Sequence, residues 1–209
     1  LETVPHFAIG QRAFLLCTQA GNVLWDCLTL LDPATEALIG RLGGLAAIAI
    51  SHPHYYAAMS AWGARFACPV HVHADDRDFV MRPDPCLRFW QGEVAPLLPG
   101  LTLIRCGGHF PGGTVLHWAE GAGTLFSGDI LQVAPDRRFV SVMRSYPNML
   151  PVSAPAIDRV AAALAPFAYE AVFGAFTGRE ILAGAKARVD VSLARYRAAI
   201  TGDGAAERR

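Results

Sequence analysis

Three short polar stretches, each placed where an apolar, strand-like run gives way to a loop, constrain this sequence more than any other feature. They are residues 51–54 (SHPH), 107–113 (GGHFPGG) and 126–129 (FSGD). Together they supply four potential metal ligands: His52, His54, His109 and Asp129. Neutral imidazoles with one carboxylate suit zinc, iron or manganese and leave room for a bound water. The sequence therefore predicts one metal site on loops that follow strands.

Each of these ligands also has an ordinary structural explanation. A lone His-x-His is weak evidence, but Pro53 places His52 and His54 in a turn after the apolar run 45–50, where both imidazoles can converge on one ion. His109 lies among glycines, which permit a sharp backbone path and a close approach to a ligand. A buried carboxylate at Asp129 is costly unless it binds a cation or is fully hydrogen-bonded, and its alternative role is a helix or turn cap.

A second histidine pair, in residues 71–76 (HVHADD), looks superficially like a better metal motif. These residues lie within and just after a strand, and no turn directs them into a cleft. We therefore expect the acidic pair, Asp75 and Asp76, to cap the helix that follows.

The order of elements predicts an α/β fold. An opening run of short strands is followed by alternating strands and helices, which indicates a layered α/β domain. We expect one domain over residues 1–209, with residues 201–209 as a frayed tail. Residues 81–100 carry four of the 14 prolines and are predicted to form a long surface excursion.

Composition limits the environment and the partners. Hydrophobic residues make up 53 % of the chain, and no apolar run approaches the roughly 20 residues that cross a bilayer. Lys plus Arg and Asp plus Glu balance at 18 each, which gives no electrostatic case for nucleic acid. Five cysteines without a CxxC motif, and the lack of a secretory leader, favour reduced thiols and a cytoplasmic protein. The chain opens on Leu1, so a preceding segment is left open.

These motifs, in this order and with this spacing, resemble the metallo-β-lactamase superfamily. Its members carry a His-x-His-x-Asp-His motif, then a Gly-His loop, a Gly-Asp loop and a late histidine. The resemblance covers residues 4–200 and places His52 and His54 at the first two histidines, His109 at the third and Asp129 at the bridging aspartate. It implies an αββα sandwich with the metal ligands on loops along one edge of two sheets.

Three positions depart from that pattern. Tyr56 stands where the family has its aspartate, Ala57 replaces the adjacent histidine, and residues 174–178 (GAFTG) contain no late histidine. Because the absent residues complete the second metal site in family members, the resemblance implies a single ion, with zinc favoured and iron or manganese as alternatives. The lost aspartate also handles a proton, so Tyr56 is a candidate proton donor, its alternative being an aromatic residue that packs in the cleft. Tyr55, Tyr146 and Arg179 are weaker candidates for lining the pocket.

Three functions are compatible with this sequence. The first is a mononuclear metal-dependent hydrolase of an ester, thioester, lactone or related carbonyl compound, with a small-molecule substrate. The second is a non-catalytic metal-binding or scaffold protein whose site is closed. The third is a mononuclear iron oxygenase, with His52, His109 and Asp129 as a facial triad. Residues 132–151 either shape a substrate cleft or form a surface loop or dimer contact, and a homo-oligomer is left open.

Overall fold

Two large β-sheets face each other between two layers of helices. The computed structural model describes residues 1–7 and 9–202. The first sheet has the strand order β1-β2-β3-β4-β5. Its strands are Phe14–Thr18 (β1), Gly21–Trp25 (β2), Ala47–Ala49 (β3), Val70–His73 (β4) and Leu87–Trp90 (β5). Strands β1 and β2 are antiparallel, and β2 to β5 run parallel.

The second sheet has six strands in the order β15-β14-β9-β8-β7-β6. Its members are Val94–Leu98 (β6), Leu101–Arg105 (β7), Thr114–Trp118 (β8), Thr124–Gly128 (β9), Ala171–Gly174 (β14) and Glu180–Ile181 (β15). Only β14 and β9 pair in parallel within this sheet. Two small antiparallel pairs follow β9: Gln132–Val133 (β10) with Val140–Ser141 (β11), and Met143–Ser145 (β12) with Leu150–Pro151 (β13).

The helices cover the outer faces of the two sheets. Helices Pro33–Arg41 (α1) and Met59–Phe66 (α2) pack on the first sheet through Ile39, Met59 and Trp62. Helices Ala154–Leu164 (α3) and Ala185–Thr201 (α4) pack on the second. A third apolar cluster contains residues of both sheets, among them Trp25 and Leu103, and therefore fills the space between them. This arrangement is the αββα sandwich expected from the sequence.

The segment 81–100, predicted to be a surface excursion, instead contains two strands. β5 forms one edge of the first sheet and β6 forms one edge of the second, so this segment carries the chain between them. Pro96 lies within β6 and cannot donate a backbone hydrogen bond, which an edge strand tolerates because one of its sides is unpaired.

Two expectations concern the extent of the folded domain. Helix α4 ends at Thr201, and residues 203–209 of the expected frayed tail lie outside the described residues, so the tail stays a prediction. The single domain expected over 1–209 stays a prediction. None of the helices within 1–7 and 9–202 combines the length and the apolar character needed to cross a membrane.

Candidate metal centre

The loop after β3 brings His52 and His54 together. His52 has an extended backbone (φ −169°, ψ 170°), and Pro53 begins a 3₁₀ turn that continues to Tyr55. This change of direction places Nε2 of His52 3.1 Å from Nδ1 of His54. The imidazole of His52 is fully buried, whereas His54 is exposed. Both histidines therefore lie in the turn that Pro53 predicts, with His52 inside the protein and His54 at its surface.

The loop after β7 presents His109 with a defined tautomer. Nδ1 of His109 lies 2.8 Å from the carbonyl oxygen of Met143. Because a carbonyl oxygen only accepts, Nδ1 must carry the proton and donate it, which leaves the lone pair on Nε2. That Nε2 atom is buried and has no hydrogen-bond partner among the described residues. Met143 belongs to the segment 132–151, which thus borders the cluster.

The loop after β9 supplies Asp129. Its Oδ2 lies 3.6 Å from Nε2 of His52, and its Oδ1 is buried without a partner in the described part of the chain. Gly128, just before it, has a positive φ of 52°. A Cβ atom there would meet the Ser51 hydroxyl, so glycine allows this loop to approach the loop of His52.

One ligand atom from each of His52, His54, His109 and Asp129 lies within 4.8 Å of the others. Two of the buried polar atoms at this centre, His109 Nε2 and Asp129 Oδ1, have no partner within the described residues, which is costly for a site that holds no cation. The donor set, three imidazoles and a carboxylate, suits zinc, iron or manganese. The residues therefore fit a bound metal ion.

The charges at the cluster favour metal binding. Burial lowers the pKa of His52, His54 and His109, so their imidazoles are neutral where a free histidine is partly protonated. Burial acts to raise the pKa of Asp129, but the neighbouring histidines outweigh it and lower that pKa. Neutral imidazoles beside an ionised carboxylate are the protonation states that a divalent cation requires.

A buried chain of hydrogen bonds connects His52 through Ser51 to Asp26. The Ser51 hydroxyl lies 2.8 Å from Nδ1 of His52 and 3.0 Å from Oδ2 of Asp26, and the backbone N–H of Ser51 donates to Oδ1 of Asp26 at 2.7 Å. Burial raises the pKa of Asp26 to about 8. Sequence analysis missed Asp26, although it follows an apolar strand, β2, just as Asp129 follows β9.

Aromatic rings enclose the cluster. Phe110 contacts the rings of His52, His54 and His109, with centroid distances of 5.0–5.6 Å. Tyr55 packs perpendicular to His52 at 5.3 Å, and Tyr146 lies 5.6 Å from His109. The structure thus places both tyrosines expected near the pocket at the cluster, and it adds Phe110, which follows His109 directly in sequence.

Tyr56, the candidate proton donor, lies elsewhere. Tyr56 lines a cavity of about 210 Å³ together with Pro53, Phe79 and Met81, and none of the four ligand residues lines that cavity. Among the described residues, no hydrogen bond or ring contact joins Tyr56 to the four ligand residues. Tyr55 faces His52 instead, because the 3₁₀ turn sends consecutive side chains in different directions. This position of Tyr56 agrees with its packing alternative and gives no support to the proton-donor hypothesis.

The loop after β14, where family members carry the late histidine, is bound to the N-terminal segment. The backbone N–H of Arg12 donates to Ala175, and its guanidinium donates to the carbonyl oxygens of Gly174 and Arg179 and to Glu180. Arg179, expected as a pocket residue, enters these contacts through its backbone. The side chain of Arg12 therefore lies against the loop that carries a metal ligand in the family pattern.

Comparisons with known proteins agree with the fold. No protein-family profile matches the chain. The chain is 45 % identical over 199 residues to the uncharacterized protein YmaE of Bacillus subtilis (strain 168). This alignment covers 94 % of this chain and 72 % of YmaE.

Among solved structures, the di-iron-bound form of TTHA1623 superposes with a TM-score of 0.66 at 23 % identity, over 88 % of this chain and 96 % of that one. The DIM-1 metallo-β-lactamase gives a TM-score of 0.65 at 13 % identity, over 92 % of this chain and 86 % of that one. At these identities the likeness concerns the fold alone.

Proposed function

The chain belongs to the same family as the Bacillus subtilis protein YmaE and has the metallo-β-lactamase fold, and we propose that it is a hydrolase that uses one metal ion per chain. The proposed substrates are small molecules with an ester, thioester, lactone or related carbonyl group. Zinc is the proposed metal, and iron and manganese are the alternatives that the same ligands accept.

The observation that carries this proposal is the asymmetric burial of the cluster. His52, His109 and Asp129 are buried, whereas His54 is exposed. Solvent therefore reaches the cluster from the side of His54, as a catalytic site requires and a closed structural site does not. When bound, the ion supplies a Lewis acid that lowers the pKa of a water ligand and polarises a carbonyl group.

The chain's own residues supply the ligands and fix their protonation and orientation. Each of His52, His54 and His109 would offer one ring nitrogen to the ion, and Asp129 would offer one carboxylate oxygen. The Met143 carbonyl keeps the proton of His109 on Nδ1. The ring of Phe110 packs against all three imidazoles and thereby restricts their orientations.

The mononuclear state is proposed from what replaces the second set of ligands. Tyr56 lines a cavity that none of the four ligand residues lines, the side chain of Ala57 has no donor atom, and the carbonyl oxygen of Ala175 accepts the N–H of Arg12. The cluster at His52 is the group of potential metal ligands found within residues 1–7 and 9–202. The guanidinium of Arg12 also donates to the carbonyl oxygens of Gly174 and Arg179 and pairs with Glu180, so these groups beside the loop after β14 are already engaged.

A matched pair of histidine variants tests the proposed function. We expect the purified, metal-loaded protein to hydrolyse a panel of nitrophenyl esters and acyl thioesters, and His109→Ala to lose at least 100-fold in kcat/KM. His117→Ala is the control, because His117 is also buried and also lies 2.8 Å from a carbonyl oxygen, that of Ala168, but belongs to β8. Equal activity in both variants, or activity that survives a chelator, would contradict the proposal.

A further inference from the structure

The carboxylate of Asp76 is buried but does not belong to the metal cluster. Asp76 is 1 % exposed and lies in the short 3₁₀ helix Ala74–Phe79 that follows β4. Its Oδ1 accepts a hydrogen bond of 2.7 Å from the backbone N–H of Gly112, and its Oδ2 has no partner among the described atoms. The expected capping role is wrong, because Nδ1 of His73 accepts the N–H of Asp75 at the start of this helix. Asp76 therefore bonds to a distant loop.

That loop is the one that carries His109. Residues 107–113 form a closed turn, in which the N–H groups of Cys106 and Gly107 both donate to the carbonyl oxygen of Gly113. His109 and Gly112 lie on the same turn. A loop with four glycines among its seven residues has a large conformational entropy to lose, so its shape depends on contacts from outside.

The contact between Asp76 and Gly112 is close as well as polar. A Cβ atom on Gly112 would lie 2.8 Å from Cγ of Asp76 and 2.8 Å from Cβ of His73. A second contact holds the neighbouring residue, because Nε of Arg105 donates to the carbonyl oxygen of Pro111 at 3.1 Å. Arg105 is itself paired with Asp75. Residues 73–76 thus pack against the C-terminal end of the loop 107–113.

We propose that Asp76 is a positioning residue for the metal centre, which holds Gly112 and thereby sets the place of His109 without touching the ion. The consequence for metal affinity rests on the proposed function. A hydrogen bond from an N–H group to a carboxylate is shorter and stronger than one between neutral groups. Contacts of this kind, one step removed from the ligands, change metal affinity by about 10- to 100-fold when they are removed.

Four variants separate this role from general stabilisation. Asp76→Ala and Asp76→Leu both remove the acceptor, and leucine keeps the buried volume filled should alanine prevent folding. Asp76→Asn retains an oxygen that can accept the N–H of Gly112. Glu170→Ala controls for loss of a carboxylate acceptor as such, because its Oε2 also accepts a 2.7 Å hydrogen bond from a glycine N–H, that of Gly184, at an exposed position far from the cluster in sequence.

The first readout is amide hydrogen exchange in the metal-free protein. We expect exchange in residues 107–113 to accelerate at least tenfold in Asp76→Ala and Asp76→Leu, and to stay within threefold of the unmodified protein in Asp76→Asn and Glu170→Ala. Loop exchange that is unchanged by the loss of Asp76, or equally fast in Asp76→Asn, would overturn the proposal.

The second readout is the dissociation constant for Co²⁺, followed by its absorption spectrum. We expect about a 10- to 100-fold weaker constant for Asp76→Ala and Asp76→Leu, with recovery in Asp76→Asn. A faster-exchanging loop with unchanged Co²⁺ affinity would overturn the positioning role while leaving the proposed function intact. No Co²⁺ binding by the unmodified protein would instead contradict the proposed function, and hydrogen exchange would then decide whether Asp76 holds the loop.

Discussion

A Cβ atom on Gly128 would lie 2.5 Å from the hydroxyl oxygen of Ser51 and 2.8 Å from its Cβ atom. Ser51 precedes His52, and Gly128 precedes Asp129, so this contact packs two of the ligand loops directly against each other. The same serine hydroxyl also links His52 to Asp26. The spacing of the ligands therefore depends on the absence of a side chain at Gly128.

The substitution Gly128→Ala tests that dependence. The backbone at Gly128 has a φ of +52° and that at Gly121 has +60°, but a Cβ atom on Gly121 would meet nothing within 4 Å. Both variants bear the cost of a left-handed residue, and only Gly128→Ala forces the loops apart. We expect Gly128→Ala to lower the free energy of unfolding by about 1–3 kcal/mol more than Gly121→Ala. Urea unfolding measures this difference, and equal losses would contradict it.

Asp26 makes metal affinity depend on pH. Its raised pKa, about 8, means that it is mostly protonated at pH 7 in the metal-free protein. Metal binding needs the lone pair of His52 on Nε2, so Nδ1 donates to Ser51, whose hydroxyl then donates to the ionised carboxylate of Asp26. We therefore expect metal binding at pH 7 to release about one proton from Asp26 and affinity to rise from pH 6.5 to 8. Calorimetric titration in buffers of different ionisation enthalpy measures the release.

The variant Asp26→Asn provides the comparison. Its amide nitrogen donates to Ser51 and reverses the hydrogen-bond chain, which disfavours the His52 tautomer that binds metal. We expect about 10- to 100-fold weaker binding, with no proton release from this position. Proton release equal to that of the unmodified protein would show that another group supplies the proton.

Tyr55 and Tyr56 are expected to respond differently to loss of their hydroxyl groups. The hydroxyl of Tyr55 is buried without a hydrogen-bond partner in the described part of the chain, so Tyr55→Phe removes an unsatisfied polar group. We expect this change to raise the free energy of unfolding of the metal-free protein by about 1 kcal/mol. Tyr56→Phe should leave the folding equilibrium constant and kcat each within about twofold of the unmodified protein, because Tyr56 lines a cavity that none of the four ligand residues lines. A large loss of kcat in Tyr56→Phe alone would restore Tyr56 as a proton donor.

Much of the site's assembly could be predicted from the sequence because its ligands follow recognisable strands. The apolar run before His52 becomes β3, the run before His109 becomes β7, and Asp129 follows β9. When such strands lie in two facing sheets, the loops at one edge meet. Sequence periodicity and turn residues predict these strands and a layered α/β fold, whereas the αββα sandwich was implied by the resemblance to the metallo-β-lactamase superfamily.

Other features depend on three-dimensional contacts that local sequence does not encode. Whether Tyr55 or Tyr56 faces His52 is decided by the 3₁₀ turn after Pro53, where one residue of difference reverses the side chain's direction. Asp76 bonds to Gly112 across the fold instead of capping its own helix. The four prolines of residues 81–100 predicted a surface excursion, but β6, which contains Pro96, is an edge strand that pairs on only one side. The first outcome was set by the local geometry of that turn, and the other two were set by tertiary structure.

The account's central claim is that three histidines and Asp129 hold one metal ion per chain. The most direct test is the metal content of the purified protein, measured by plasma mass spectrometry after reconstitution with zinc, iron or manganese. The unmodified protein should retain about one ion per chain, and the double variant His52→Ala/His109→Ala should retain none, while the control His117→Ala keeps its ion. No bound metal in the unmodified protein, or two ions per chain, would contradict the account.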